Sequence, residues 1–271
     1  MKRSVNAWAV GADYGFEETF SKVKAAGFEA IELNLDADGA HALTMETTAA
    51  DLEKIAELSR RFELPVSGIS TSIGGNIGSS DEAEREAAKD VVKKQLFLAK
   101  NLGASAILTV PGAGNTPWGE AHEICIEAYR DLLPVIEDTG ILVGMEHVWN
   151  GFFLSPRDLA YTVDAIGHEL VGVYFDIANC ADRSKSEDWI TFLGGERIKR
   201  VHIKNFNRKS VLEFAFPLLF EEGTIDWAPV MAALRGIGYN GPLTAEFGAP
   251  EGDPSEKLVM SADAVRRIQC L

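Results

Sequence analysis

"SVNAWAVGADYGFEE", residues 4–18, runs from a strand-like apolar stretch into a turn, and that turn chooses between two α/β architectures. A doubly wound sheet that binds a dinucleotide carries G-x-G-x-x-G where its first strand meets its first helix. The chain reads "GADYGFEE" (11–18) at that point, without this spacing. Short apolar runs of strand length recur at 4–10, 30–35, 65–71, 105–110, 141–148, 171–177, 198–204 and 241–247. Amphipathic stretches with helical spacing lie between them, most clearly at 48–62, 84–103, 121–140, 155–167, 186–195 and 226–238. Gly103, Gly140, Gly167 and Gly238 stand where helices should stop, and Ser155-Pro156 offers an N-cap followed by proline at the first helical position. Eight strand–helix units in 271 residues predict an α/β fold of the (β/α)8 TIM-barrel class, as a single domain over 1–271.

Composition narrows the function. Lys and Arg number 26 against 41 Asp and Glu, a formal charge of −15. Such a surface repels phosphate backbones, so no nucleic-acid partner is expected. No stretch reaches the ~20 apolar residues that cross a bilayer, and the N-terminal apolar run is too short for a signal peptide. A cytoplasmic protein without a membrane partner is the expectation. Cys125, Cys180 and Cys270 are odd in number and widely spaced, which reads as reduced thiols.

In a barrel of this kind, chemistry sits at the C-terminal ends of the strands. The last four strand candidates each end in a metal-binding or proton-moving residue: Glu146 in "GMEHV", Asp176 in "YFDIA", His202 in "RVHIK" and Glu246 in "TAEF". One such residue is ordinarily hydrogen-bonded structure. Four on consecutive strands, each among apolar neighbours, would be costly to bury unless paired or ligated. Three carboxylates and one imidazole suit a divalent ion such as Mn²⁺, Mg²⁺, Co²⁺ or Zn²⁺. His122 and Cys125 read as helix packing. The loop "STSIGGNIGSSDE" (70–82) offers backbone N–H groups that could form a weak anion nest. Trp8, Trp118, Trp149 and Asn150 could pack against a sugar, or simply pack.

The stretches "GMEHVWNGFFLSPRDL", "VGVYFDIAN", "IKRVHIKNFN" and "EEGTIDWAPVMAALRGIGYNGPLTAEF" resemble, in order, motifs of the xylose isomerase-like sugar phosphate isomerase/epimerase family. "AAKDVVKKQLFLAKNLGASAILTVPG" is similar to that family's third helix and fourth strand, so the likeness covers nearly the whole chain. Within the family it is most similar to ketose 3-epimerases, particularly those for L-ribulose 5-phosphate or a hexulose 6-phosphate. The resemblance implies metal ligands at Glu146, Asp176, His202 and Glu246, with manganese the first candidate ion. It implies that Glu146 and Glu246 also form the catalytic acid/base pair, acting through a cis-enediolate stabilised by the ion. It places Arg208, six residues after His202, on the substrate. Lys204, Asn179, Asn150, Trp8 and Trp118 complete the expected substrate contacts. The expected partner is a small sugar or sugar phosphate, and the assembly a homo-oligomer, dimer or tetramer.

Two positions depart from the family pattern. Asn179 stands where free-ketose epimerases carry a histidine, three residues after the metal Asp. Asn205 replaces the aspartate of the usual "HIKD". With the strand-5 motif, the first departure implies a preference for a phosphorylated ketose. A dehydratase or aldose–ketose isomerase would use the same metal site, since both begin with proton abstraction beside a carbonyl. A non-catalytic sugar-binding barrel would not need the paired glutamates. A three-zinc repair endonuclease would need more than the five histidines present and a basic groove.

Overall fold

The structure is a computed structural model, and it describes residues 1–209, 213–248 and 252–271. Eight parallel strands close into a barrel in the order β1-β10-β7-β6-β5-β4-β3-β2. They are β1 (Arg3–Asn6), β2 (Ala30–Leu35), β3 (Val66–Thr71), β4 (Ala106–Thr109), β5 (Leu142–Glu146), β6 (Val171–Asp176), β7 (Ile198–Ile203) and β10 (Leu243–Ala245). A small antiparallel hairpin, β8 (Asn207–Arg208) with β9 (Phe214–Ala215), follows β7. The eight described helices are α1 (Phe16–Ala25), α2 (Ala49–Arg61), α3 (Glu82–Leu102), α4 (Trp118–Thr139), α5 (Pro156–Ile166), α6 (Ser186–Arg197), α7 (Trp227–Gly236) and α8 (Pro254–Gln269). Among the described residues, no helix is long and apolar enough to cross a membrane.

Local chemistry accounts for the boundaries. Thr48 and Asp51 form a reciprocal capping box on α2, as Ser155 and Asp158 do on α5, where Pro156 follows the cap. Gly103, Gly140 and Gly167 end their helices in the left-handed conformation that glycine adopts without strain. The first strand is shorter than the expected 4–10, because Asn6 caps a 3-10 turn over Ala7–Ala9 by accepting from the Trp8 N–H at 2.9 Å.

Side chains alternate along each strand, so every second residue enters the barrel. The outward set, such as Val143, Met145, Val173, Phe175, Val201, Ile203, Leu243 and Ala245, is fully buried beneath the helices. The inward set is polar instead: Asn6, Glu32, Ser70, Glu146, Tyr174, Asp176, His202 and Glu246. The apolar core therefore lies between sheet and helices, which frees the barrel interior for chemistry.

Candidate metal centre

Strand register brings the four strand-end residues together. Asp176 and His202 are paired directly across β6 and β7, Glu146 lies across from Tyr174 on β6, and Glu246 follows Ala245, the partner of Ile203. One ligand atom from each of Glu146, Asp176, His202 and Glu246 falls within 4.8 Å of the others. That spread is comparable to the ~4 Å span of donors around one small divalent ion. His202 Nδ1 is buried without a hydrogen-bond partner, and the Asp176 Oδ2 and Glu246 Oε2 atoms share one ammonium, that of Lys204, for three clustered carboxylates. Buried carboxylates are ordinarily paired or ligated, so this donor set fits a divalent cation.

Each side chain of the cluster is aimed by its other contacts. Asp176 Oδ1 accepts from the backbone N–H groups of Ala178 at 2.7 Å and Asn179 at 2.9 Å, capping the turn after β6, which leaves Oδ2 facing the centre. His202 turns Nε2 to Glu32 Oε1 at 2.7 Å, so that Nδ1 faces Glu246 Oε2 at 3.6 Å and Glu146 Oε1 at 3.7 Å. The Asn179 amide donates to Glu146 Oε1 at 3.1 Å and to the His147 carbonyl at 3.0 Å. Lys204 Nζ stands 2.6 Å from Glu246 Oε2 and 3.2 Å from Asp176 Oδ2, an ammonium shared by two of the carboxylates.

These surroundings separate the two glutamates. Burial, reinforced by the like charges of Glu246 and Asp176, pushes the Glu146 carboxyl up to about 7 against the opposing pull of His202. Burial also acts on Glu246, but the charges of Lys204 and His202 outweigh it and hold that carboxyl below its usual range. Burial opposes a charge on His202, yet Glu32 and the facing glutamates hold its pKa well above the ordinary histidine value. Burial raises Asp176, with Lys204 pulling the other way.

The remaining expected contacts are distributed unevenly. Lys204 and Asn179 lie at the cluster. Trp8 lines a neighbouring cavity of about 260 Å³ with Asn34, Asp36, Asp38 and His41, and donates from Nε1 to Asp36 at 2.8 Å. Trp149 reaches Asn179 Oδ1 at 3.3 Å and stacks on Phe214 of the β8–β9 hairpin at 4.8 Å. Arg208 donates to the Asp182 carbonyl. Asn150 is engaged by the Pro111 carbonyl at 2.8 Å and the Phe152 N–H at 3.1 Å, so it shapes the loop after β5. Trp118 opens α4, donates to the Phe152 carbonyl at 2.9 Å and packs on His122, and neither contact brings it to the cluster. The second half of the 70–82 loop spends its backbone N–H groups on protein acceptors. The N–H groups of Ile77, Gly78, Ser79, Ser80 and Asp81 are all used internally.

Glu32 escaped the reading of the sequence. It sits in "AIELNL", a run whose lone charge looks like the solvent side of a strand, yet it is wholly buried against His202.

Residues 20–268 match the family described as Xylose isomerase-like TIM barrel. The chain belongs to this family. One similar relative, from Escherichia coli (strain K12), carries the provisional name L-ribulose-5-phosphate 3-epimerase SgbU. It is 24% identical over 252 residues, covering 88% of this chain and 86% of its own. The D-psicose 3-epimerase of Enterocloster bolteae is 26% identical over 254 residues, 87% of this chain and 77% of that protein. In three dimensions the fold is shared with the IOLI protein solved with a bound zinc atom, at a TM-score of 0.82 and 16% identity, over 99% of this chain and 98% of that one.

Proposed function

We propose that this family member is a divalent-metal-dependent isomerase, a ketose epimerase that inverts a carbon beside a ketone. The observation that carries the reading is the pair Glu146 and Glu246, which converge with Asp176 and His202 in one cluster whose ligand atoms lie within 4.8 Å of one another. Two carboxylates facing one site can divide the work of base and acid between them. The kinship with proteins named as ketose 3-epimerases supports the same chemistry.

In this reading Glu146, Asp176, His202 and Glu246 hold the ion, with manganese the first candidate and magnesium, cobalt and zinc the others. A bound divalent ion supplies Lewis-acid stabilisation of the negative charge that develops when the carbon loses its proton. Glu246, kept ionised by Lys204 and His202, takes that proton. Glu146 returns one. Their strands, β10 and β5, stand three places apart round an eight-strand ring, so the two carboxyls approach the carbon from different sides. Delivery from the opposite side is what inversion requires. Lys204 keeps Glu246 ionised, and Asn179 fixes the orientation of Glu146.

The substrate of this reading is a ketose with an uncharged far end. The cavity beside Trp8, lined by the segment that follows β1 and by the end of β2 and the loop after it, offers the carboxylates of Asp36 and Asp38, which accept from hydroxyl groups and repel a phosphate. Asp36 is held in place by Trp8 Nε1 and by Ser72 Oγ at 2.7 Å.

Deuterium incorporation from D₂O into a ketose is the direct test. Wild type loaded with Mn²⁺ should place deuterium on the inverted carbon, and NMR of the product should show an epimer. Glu146→Gln and Glu246→Gln should each lower turnover by at least ~100-fold, the usual scale for a general acid or base. Near-normal turnover in both variants would refute the two-glutamate scheme.

A further inference from the structure

The centre of the barrel below the metal cluster is organised around one carboxylate outside the ligand set. Glu32 has no solvent exposure, and its surroundings come from the adjacent β1 and β3 and, across the barrel, from β6 and β7. From β1 the Asn6 amide donates to Oε1 at 2.8 Å, from β7 His202 Nε2 meets the same oxygen at 2.7 Å, and from β6 the Tyr174 hydroxyl donates to Oε2. On β3 the inward position is Gly68, where a Cβ would stand 3.0 Å from Glu32 Oε2. On β5 the inward position is Gly144, where a Cβ would stand 2.8 Å from the Cβ of Tyr174. Two strands thus leave out a side chain to make room for this carboxylate and for the tyrosine that holds it.

An ionised carboxylate is acceptor-only, so a histidine nitrogen facing it must carry the proton. With Nε2 protonated, the lone pair of a neutral His202 is on Nδ1, the nitrogen that faces Glu146 and Glu246. We infer that Glu32 is a positioning residue that fixes the ring orientation and tautomer of His202 and thereby aims Nδ1 at the metal. The inference rests on the metal reading above and adds to it a residue that touches neither ion nor substrate. Carboxylates behind ligating histidines contribute on the order of 10–100-fold in metal affinity.

Metal affinity, rather than turnover, tests it. Metal-free wild type, Glu32→Gln and Tyr174→Phe are titrated calorimetrically with Mn²⁺ against a competing chelator. Glu32→Gln should bind about 10–100-fold more weakly, while Tyr174→Phe, which leaves the contact with His202 in place, should stay within about threefold of wild type. A long-range ¹H–¹⁵N spectrum of the zinc-loaded wild type should show the His202 proton on Nε2. Should Glu32→Gln not fold, Glu32→Asp withdraws the same charge by one methylene and should weaken Mn²⁺ binding in the same direction. A wild-type protein that binds Mn²⁺ while the folded Glu32 variant binds equally well overturns this inference and leaves the metal reading intact. A His202 proton on Nδ1 in the zinc-loaded protein overturns it too. A wild type that takes up no divalent ion defeats both.

Discussion

Asp176 illustrates what can be read from a single residue and what cannot. A carboxylate ending an apolar strand signals either a cap or a ligand, and here one oxygen caps the turn while the other faces the cluster. The convergence of Glu146, Asp176, His202 and Glu246 was legible because four burial costs at strand ends are met most economically by bringing the groups together. Glu32 was not, because one charge in six strand residues gives no sign of which face it takes. The same cluster fixes a pH dependence. Below about pH 7 the metal-free protein holds a proton on Glu146, and His202 holds its own well above the ordinary histidine range. Ligation needs His202 Nδ1 deprotonated and competes with the proton on Glu146, so uptake releases protons. Mn²⁺ affinity should therefore rise as pH increases through about 7, and calorimetry in buffers of different ionisation enthalpy should detect the released protons. Affinity that is flat between pH 6 and 8, two values chosen to bracket that midpoint, would count against this proton inventory.

The element scale was legible wherever a period or a cap was strong. The capping boxes of α2 and α5 and the glycine stops of α3, α4 and α5 lie where the sequence signals them. The shorter α1 and the C-terminal α8 were less evident, since both are rich in charge with only a narrow apolar stripe. The β8–β9 hairpin pairs only two residues on each side, too few for an alternation to appear. Inward glycines are the feature that periodicity cannot interpret. "LVGME" looks like a strand weakened at its middle, yet Gly144 is there because Tyr174 occupies the space beside it. A Cβ at Gly144 would meet the Tyr174 backbone nitrogen at 3.0 Å as well as its Cβ, and backbone cannot move aside as a flexible side chain can. Gly144→Ala should consequently destabilise the fold by about 1–3 kcal/mol, the range for overpacked cores. Urea denaturation should show a lower midpoint at an unchanged slope. A midpoint equal to wild type would mean that the barrel interior is looser than these contacts require.

At the scale of the whole molecule, charge bears on which sugar enters. The expectation of a phosphorylated ketose rests on Asn179 and the strand-5 motif, with Lys204, Arg208 and the 70–82 loop as the possible anion contacts. Lys204 is shared between Asp176 and Glu246, Arg208 is tied to the Asp182 carbonyl, and five consecutive loop N–H groups bond internally. Two charge-assisted hydrogen bonds, at ~1.5–3 kcal/mol each, would be needed to favour the phosphate by roughly 100-fold or more. The cavity beside Trp8 offers Asp36 and Asp38 instead. A dianion would also approach a chain with a formal charge of −15. That repulsion reaches ~30 Å at 0.01 M salt and only ~8 Å at 0.15 M, so it slows a phosphorylated substrate most at low ionic strength. An uncharged ketose feels none of it. Ribulose, xylulose, fructose, psicose and tagatose should therefore give higher kcat/KM than their phosphates at low salt. Raising the salt should increase kcat/KM for the phosphates and leave the free sugars unchanged. A phosphate that is preferred at both salt concentrations would place an anion site in the mouth of the barrel, and the uncharged-substrate reading would fall.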